Sequence, residues 1–171
     1  LQAGITPNAT LNHWDFPQAL QDRGGWPNRD SVEWFTEYAG VVFDKLADRI
    51  PYFATHNEPM VVAFPGYGEG SFAPGLASAK LAYQAVHHLN LAHGKTVQLY
   101  RQRGYDGNIG IVLNLATFIP KTDSPADTAA ANRLKQAING LFLDPIFKGE
   151  YPQDLMDWVG EMAPDVYDGD M

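Results

Sequence analysis

Cysteine is absent from the 171 residues of this chain, so disulfides and thiolate metal sites are excluded. The lack of cysteine favours a reducing compartment, and we therefore expect a cytoplasmic location. Basic clusters are missing as well, since 12 Lys and Arg residues stand against 20 Asp and Glu residues for a net charge of −8. A nucleic-acid-binding surface needs a basic patch, so we expect no nucleic-acid partner.

Long apolar runs are also absent, and none approaches the roughly 18 residues that a membrane-spanning helix needs. We therefore expect no membrane partner. The pattern His-Glu-x-x-His does not occur, and the spacing from His88 to His93 separates these side chains around a helix. We interpret His87, His88 and His93 as packed, hydrogen-bonded side chains and expect no metal site.

Apolar patterning predicts three strands that alternate with three helices. Strands are predicted at residues 8–14, 51–55 and 109–114, and helices at 30–46, 78–103 and 126–139. Asp30 and Glu33 have the spacing of a capping box at the first of these helices. Residues 60–75 are predicted to form a loop, and residues 142–171 to form loops with a short helix at 155–162.

The alternation of strands and helices predicts parallel βαβ units, and hence an α/β fold. Three parallel strands alone would leave exposed sheet edges. We therefore expect this sheet to be part of a larger sheet or barrel that is incomplete in this chain.

The segment Pro-Tyr-Phe-Ala-Thr-His-Asn-Glu-Pro at residues 51–59 carries the clearest chemical signal. Its apolar strand ends at a polar amide and a carboxylate, and Pro59 blocks further strand pairing. Glu58 therefore lies where a strand becomes a loop, which is where barrels place their catalytic groups. A carboxylate in this position can serve as a general acid or base. A solvated loop glutamate is the alternative, because a single tripeptide match is weak evidence.

Several stretches together resemble glycoside hydrolase family 1, the β-glucosidases and their relatives. Residues 10–20 with Gly24-Gly25-Trp26 resemble the third barrel strand of that family, and residues 55–59 resemble its acid/base motif on the fourth strand. The match continues in order to the end of the chain through Gly66-Tyr67, Gly70, Ala73-Pro74-Gly75, the helix with His87 and His93, Gly110-Ile111 with Asn114, Phe142-Leu143-Asp144-Pro145 and Gly149-Glu150-Tyr151-Pro152.

The resemblance implies a (β/α)₈ TIM barrel, of which residues 1–171 would be one partial catalytic domain, truncated at both ends and holding strands three to five. It also implies site residues. Glu58 would be the general acid/base, Asn57 would bind the 2-hydroxyl of the sugar, His13 would bind its 3-hydroxyl, and Trp14 would be a further sugar contact. Near a sugar ring, histidine and indole N–H groups would supply fixed donors beside a flat apolar wall.

Two further positions would face the leaving group, namely Asn114 and Met60, although many members of the family have tryptophan where Met60 stands. The expected substrate is a small β-glycoside or an oligosaccharide, with the remainder of the barrel as the structural partner. No cofactor is expected.

The implied reaction is hydrolysis of terminal β-glycosidic bonds by a retaining double displacement. This reaction needs two carboxylates about 5–5.5 Å apart, and the nucleophilic glutamate of the family lies on a seventh strand that this chain does not contain. Asp15, Glu69, Asp106 and Glu150 are the other acids considered, and none is assigned that role. This span would carry the acid/base half of the site, and the isolated chain is expected to be inactive.

Two alternatives remain open at this stage. One is a phospho-β-glycosidase of the same family, which would need a basic phosphate pocket in residues beyond this chain. The other is a non-catalytic carbohydrate-binding module or a truncated relic of the enzyme. A second glutamate on a strand downstream of Met171 would distinguish the enzyme from the relic.

Overall fold

Three parallel strands form the centre of the structure, a computed structural model that describes residues 1–171. They are β1 (Asn8–Asn12), β2 (Tyr52–Asn57) and β3 (Asn108–Val112), in the spatial order β1-β2-β3. Asn8 pairs with Tyr52, and Tyr52 pairs with Asn108, so the three strands begin at the same level. The helices that connect them complete two βαβ units, which confirms the predicted parallel arrangement.

The helical elements surround this sheet in chain order. None of them is both long enough and apolar enough to cross a lipid bilayer. They are α1 (Gln18–Gln21), α2 (Ser31–Leu46), α3 (Pro59–Val61), a π-helical segment (Val62–Gly68), α4 (Ala79–Gln102), α5 (Pro125–Lys135), a second π-helical segment (Gln136–Gly140), α6 (Leu141–Lys148), α7 (Gln153–Val159) and a 3₁₀ turn (Gly160–Met162).

The core lies between the sheet and the long helices α2 and α4. Phe43 of α2 meets Phe53 of β2 edge-on, with ring centroids 5.1 Å apart, and meets Tyr100 of α4 at 4.9 Å. Edge-to-face contacts of this kind add about 0.5–1.5 kcal/mol each to the burial of the rings. The apolar face of α2 therefore packs into this core, as the helical periodicity of its sequence predicts. Tyr38 belongs to the same apolar pattern but is exposed.

The predicted capping box at the start of α2 is wrong. Asp30 has helical backbone angles, and its side chain makes no capping hydrogen bond. The Asn28 side-chain oxygen instead accepts a hydrogen bond from the Asp30 amide at 2.9 Å, and this bond stabilises the turn before the helix. Serine caps are present at the two later helices, where Ser78 and Ser124 accept hydrogen bonds from backbone amides.

The predicted loop over residues 60–75 is wrong for its first half. Pro59 occupies the first turn of α3, where its missing N–H and fixed φ are favourable. A π-helical segment that contains Pro65 follows α3 directly. Tyr67 in this segment is fully buried, and its hydroxyl donates to Gln21 at 2.6 Å. The glycine-rich remainder of the loop leads into α4.

The C-terminal segment is also more helical than predicted. A π-helical segment joins α5 directly to α6, which covers Leu141–Lys148 and buries Leu141 and Phe142. The short helix predicted at 155–162 is present as α7 with its 3₁₀ turn. Apolar residues punctuated by proline in this region thus form short helices, and Pro145 lies inside α6, where it removes one backbone hydrogen bond without ending the helix.

Buried polar contacts attach the C-terminus to α4. Asp170 forms an ion pair with Arg29 and lies 3.0 Å from Nε2 of His87. The hydrogen bond from Arg29 holds the pKa of the Asp170 carboxyl well below its usual range. The other ring nitrogen of His87 lies 3.1 Å from the Tyr151 hydroxyl.

The remaining histidines of α4 have protein partners as well. His88 Nδ1 lies 2.8 Å from the Trp26 carbonyl oxygen, and His93 Nδ1 lies 2.8 Å from the Thr55 hydroxyl. The prediction that His87, His88 and His93 are packed, hydrogen-bonded side chains is confirmed.

Candidate active site

The carboxyl ends of β1 and β2 bring four of the predicted site residues together. Asn12 at the end of β1 pairs with His56 of β2. His13 and Trp14 directly follow β1. Asn57 is the last residue of β2, and Glu58 follows it at the same edge of the sheet. Because parallel strands end at one edge of a sheet, this register alone makes the two pairs neighbours.

The backbone is strained at this edge. Trp14 (φ 82°) and Glu58 (φ 45°) are the two non-glycine residues of the chain with positive φ. Left-handed geometry costs about 1–2 kcal/mol for a residue with a side chain. Such strain is found preferentially at functional sites, where surrounding contacts enforce it.

Local hydrogen bonds hold both strained residues. The Asn12 side-chain oxygen accepts a hydrogen bond from the Trp14 amide at 2.9 Å. The Glu58 amide donates to the Val112 carbonyl oxygen of β3 at 2.8 Å. The turn that presents Glu58 is therefore hydrogen-bonded to the neighbouring strand.

Trp14 links the two strands. Its indole Nε1 donates to the Asn57 carbonyl oxygen at 3.0 Å, and its ring is 42% exposed. The indole N–H is thus occupied within the protein, and the expected contact of Trp14 with a sugar stays a prediction. What remains available at Trp14 is a flat apolar face, with the exposed ring of His13 beside it at 5.6 Å.

The Glu58 side chain is half-buried and makes no hydrogen bond to another residue of the chain. Pro59 behind it is buried and starts α3, so the carboxylate stands at a rigid junction between strand and helix. A proton donor in this position can reach a ligand that lies over the strand ends. Asn57 beside it is half-buried as well.

The two positions predicted on the leaving-group side are less closely associated with this cluster. Asn114 lies two residues beyond the end of β3, is half-buried and has no side-chain hydrogen bond. Met60 lies in the short helix after Glu58 and packs against the hydrophobic core. Much of the Met60 side chain therefore has a structural role.

The other acids considered from the sequence do not complete a pair with Glu58. Asp106 precedes β3 and so lies at the amino end of the sheet, opposite to the site. Glu69 and Glu150 are exposed and lie outside the strand ends. Asp15 is close in sequence to Trp14 but is exposed and accepts no hydrogen bond from another residue.

Phe72 is a member of the site edge that sequence patterns did not identify. Its ring is exposed and lies 6.2 Å from that of Trp14, which extends the apolar wall towards the glycine-rich loop. The signal that could have found it is an aromatic residue in a glycine-rich segment that follows a strand-end carboxylate.

His56, directly before the site, is a core residue. It is 1% exposed, stacks on Phe35 at 4.5 Å and meets Trp26 edge-on at 5.4 Å. Burial lowers its pKa to about 3, with a further contribution from His93. Burial likewise lowers the pKa of His93 to about 4. Both imidazoles are therefore neutral at neutral pH.

We expect these two histidines to make the complete protein sensitive to acid. Their folded-state pKa values lie below the unfolded value of about 6.5, so the unfolded state binds more protons between about pH 6 and pH 4. The free energy of unfolding should fall by about 1.4 kcal/mol per pH unit for each histidine as the pH drops through this range. Urea titrations at several pH values measure this slope.

His56→Leu removes one of these two titrating groups. Between pH 6 and pH 4.5, the pH dependence of its free energy of unfolding should be smaller by about 1.4 kcal/mol per pH unit. The stability of the same variant at pH 7 is the control for lost packing against Phe35. An unchanged slope would mean that His56 does not titrate on unfolding.

Known proteins with similar sequences and folds identify the family of this chain. The family model described as Glycosyl hydrolase family 1 matches residues 1–171. The chain belongs to this family. The family's structures include the psychrophilic beta-glucosidase BglU from Micrococcus antarcticus, which superposes with a TM-score of 0.95 at 42% identity over 99% of this chain and 36% of that one.

Other relatives agree. The 1,4-beta-D-glucan glucohydrolase of Thermotoga neapolitana is 43% identical over 172 residues, which cover 100% of this chain and 40% of that protein. A complex of the virulence factor SghA with its substrate analog salicin superposes with a TM-score of 0.94 at 40% identity over 99% of this chain and 37% of that one. The chain therefore spans about two fifths of the length of these relatives, and its strands and helices form part of a (β/α)₈ barrel, as predicted.

Proposed function

We propose that this chain is the span of a β-glucosidase that carries the acid/base half of the active site, and that Glu58 is the acid/base. The observation that carries the proposal is the position of Glu58, half-buried and without a hydrogen-bond partner, at the strained end of β2. The aromatic wall of Trp14 and the exposed ring of His13 lie at the same edge. The names of the relatives support a β-glucoside as the substrate.

The reaction would proceed in two displacements. In the first, a nucleophilic carboxylate from a strand outside this chain attacks the anomeric carbon, and Glu58 donates its proton to the glycosidic oxygen as the C–O bond breaks. In the second, the Glu58 carboxylate removes a proton from water, the water oxygen bonds to the anomeric carbon, and the glycosyl–enzyme bond breaks. The leaving alcohol carries away the first proton, the proton taken from water returns Glu58 to its acid form, and the sugar keeps the remaining O–H of that water.

The neighbours of Glu58 would orient the sugar during these steps. Asn57 is adjacent in the chain and would bind the 2-hydroxyl, a contact that strengthens as positive charge develops on the ring. His13 would bind the 3-hydroxyl, and the exposed face of Trp14 would pack against the sugar ring. Asn114 and Met60 would lie towards the leaving group.

The remainder of the barrel would be the structural partner of this chain. β1 and β3 each pair with one neighbour, so each leaves one edge of the sheet unpaired. A cavity of about 740 Å³ is lined by residues 109–111 of β3, and another of about 620 Å³ by residues 10–12 of β1. Strands and helices of the missing part of a single catalytic domain would fill both. A cytoplasmic location stays a prediction.

The stereochemistry of the product tests this proposal. The complete protein is incubated with an aryl β-glucoside, and the anomeric protons are followed by NMR from the first minute. We expect β-glucose to form first and to convert to the α-anomer only by mutarotation, because two inversions retain the configuration.

α-Glucose as the first product would contradict the retaining mechanism, and the absence of turnover would contradict the enzymatic function. A parallel incubation with the 6-phosphorylated aryl glucoside separates the β-glucosidase from a phospho-β-glycosidase. The proposal expects the unphosphorylated substrate to be preferred.

A further inference from the structure

Relative to β3, strand β2 contains one extra residue just before the site, whereas its pairing with β1 stays in register through His56. Ala54 pairs with Gly110, but Asn57 pairs with Val112, so three steps along β2 correspond to two steps along β3. This irregularity is a β-bulge, a feature that re-aims side chains and occurs preferentially next to active sites.

The bulge changes which side chains face the helices. Thr55 contacts His93 of α4, and His56 stacks on Phe35 of α2. Successive residues of a regular strand point to opposite faces, whereas these two both face the helix layer. Alternation therefore resumes one residue late, and Asn57 turns away from the helices. Without the bulge, Asn57 would point towards them.

Hydrogen bonds of the buried Thr55 side chain hold the bulge of β2 in place. The Thr55 hydroxyl lies 2.8 Å from His93 Nδ1 and 3.3 Å from the Gly110 carbonyl oxygen. A hydroxyl has one proton and two lone pairs, so it can donate to Gly110 while it accepts from an Nδ1–H group of His93. Through Thr55, helix α4 thus contacts both strands at the bulge.

We propose that His93 is a positioning residue for the acid/base, because it holds the Thr55 hydroxyl and thereby fixes the bulge from which Asn57 and Glu58 project. The inference rests on the proposed function of Glu58. His93 itself lies on the far side of β2 and touches no part of the site, so it acts only through Thr55.

The expected signature is a loss of acid catalysis in particular. A displacement of catalytic groups by about 1 Å can lower a rate by up to about 100-fold. In the complete enzyme, His93→Leu should lower kcat/KM for an alkyl β-glucoside by about tenfold, because its poor leaving group needs the proton of Glu58. The value for a dinitrophenyl β-glucoside, whose leaving group needs little proton transfer, should fall by a clearly smaller factor that reflects only the displacement of Asn57.

Three further variants make the test specific. His93→Asn places an amide nitrogen or oxygen where Nδ1 was, and it should restore most of the alkyl glucoside activity. Thr55→Val replaces the hydroxyl with a methyl group of similar size and should change the ratio of the two activities as His93→Leu does. The double variant should be no worse than either single variant, because both changes break the same hydrogen bond.

His87→Leu is the matched control, since His87 is also a buried histidine of α4 but has Tyr151 and Asp170 as its partners. It should lower stability and leave the ratio of the two activities unchanged. Equal losses for both substrates in His93→Leu and Thr55→Val, or the same ratio change in His87→Leu, would overturn the positioning role. If His93→Leu does not fold, Thr55→Val decides.

Glu58→Gln measured in parallel separates this inference from the proposed function. A leaving-group-dependent loss in Glu58→Gln without one in the His93 and Thr55 variants would reject only the positioning role. No such dependence in Glu58→Gln itself would reject the acid role and the inference together.

Discussion

Glu58→Gln in the complete enzyme is expected to lower kcat/KM for alkyl β-glucosides by about 10²–10⁴-fold, and that for dinitrophenyl β-glucoside by less than about tenfold. Glutamine keeps the size and shape of the side chain, but its amide has no acidic proton to transfer. The alkyl oxygen leaves as a strongly basic alkoxide unless it is protonated, whereas dinitrophenolate is stable without a proton. The difference between the two substrates therefore isolates proton donation.

Glu69→Gln is the control for this prediction. Glu69 lies at the end of the π-helical segment that follows Glu58, and its exposed carboxylate accepts only from the Ser71 hydroxyl. Its replacement makes the same change from a carboxyl to an amide and should leave both activities within about twofold. Equal losses for both substrates in Glu58→Gln would count against the role as an acid.

The second large effect concerns the chain of 171 residues alone. We expect it to hydrolyse no aryl β-glucoside above the rate in buffer, even one with a dinitrophenol leaving group. A good leaving group removes the need for the acid but not for the nucleophile, and the nucleophilic carboxylate is absent from residues 1–171 under this proposal. Loss of a nucleophile from a catalytic unit typically costs on the order of 10⁶-fold in rate.

Inactivity is informative only for a folded sample, so circular dichroism must establish that the helices and the sheet are formed. Two sheet edges and the adjoining cavities are uncovered in the isolated chain, and the measurement is best made at low protein concentration to limit association. Turnover by the purified, folded chain would require a second carboxylate within residues 1–171 and would refute the half-site.

The sequence was sufficient for those features that depend on local patterns. Apolar runs and helical periodicity predicted β1, β2 and β3 with α2 and α4 between them, because burial on two faces demands such runs. Pro59 after Asn57-Glu58 marked the end of β2, since proline cannot continue the ladder. Parallel pairing of β1 and β2 alone then predicts that Asn57 and Glu58 lie next to His13 and Trp14.

Features that depend on tertiary contacts were not predictable. The bulge at Thr55 and His56 coincides with buried partners on α2 and α4, and no pattern in β2 itself signals it. The positive φ of Trp14 requires the Asn12 side chain and the Asn57 carbonyl, which are brought together only by folding.

The same holds for the chemistry of single groups. The Trp14 N–H was expected at the sugar, but the register of β1 and β2 directs it to a carbonyl oxygen. The helical segment after Pro59 was predicted as a loop because its glycines and aromatics suggest one, whereas burial of Tyr67 beneath Trp26 stabilises a π-helical turn.

The pH dependence of kcat/KM for an alkyl β-glucoside, measured in the wild-type enzyme and in Glu58→Gln, tests most directly whether Glu58 is the proton donor. In the wild type, activity should fall at alkaline pH as the donor loses its proton, and at acidic pH as the nucleophile gains one. We predict that Glu58→Gln loses the alkaline decline and keeps the acidic one. An alkaline decline that persists unchanged in the variant would show that another group donates the proton.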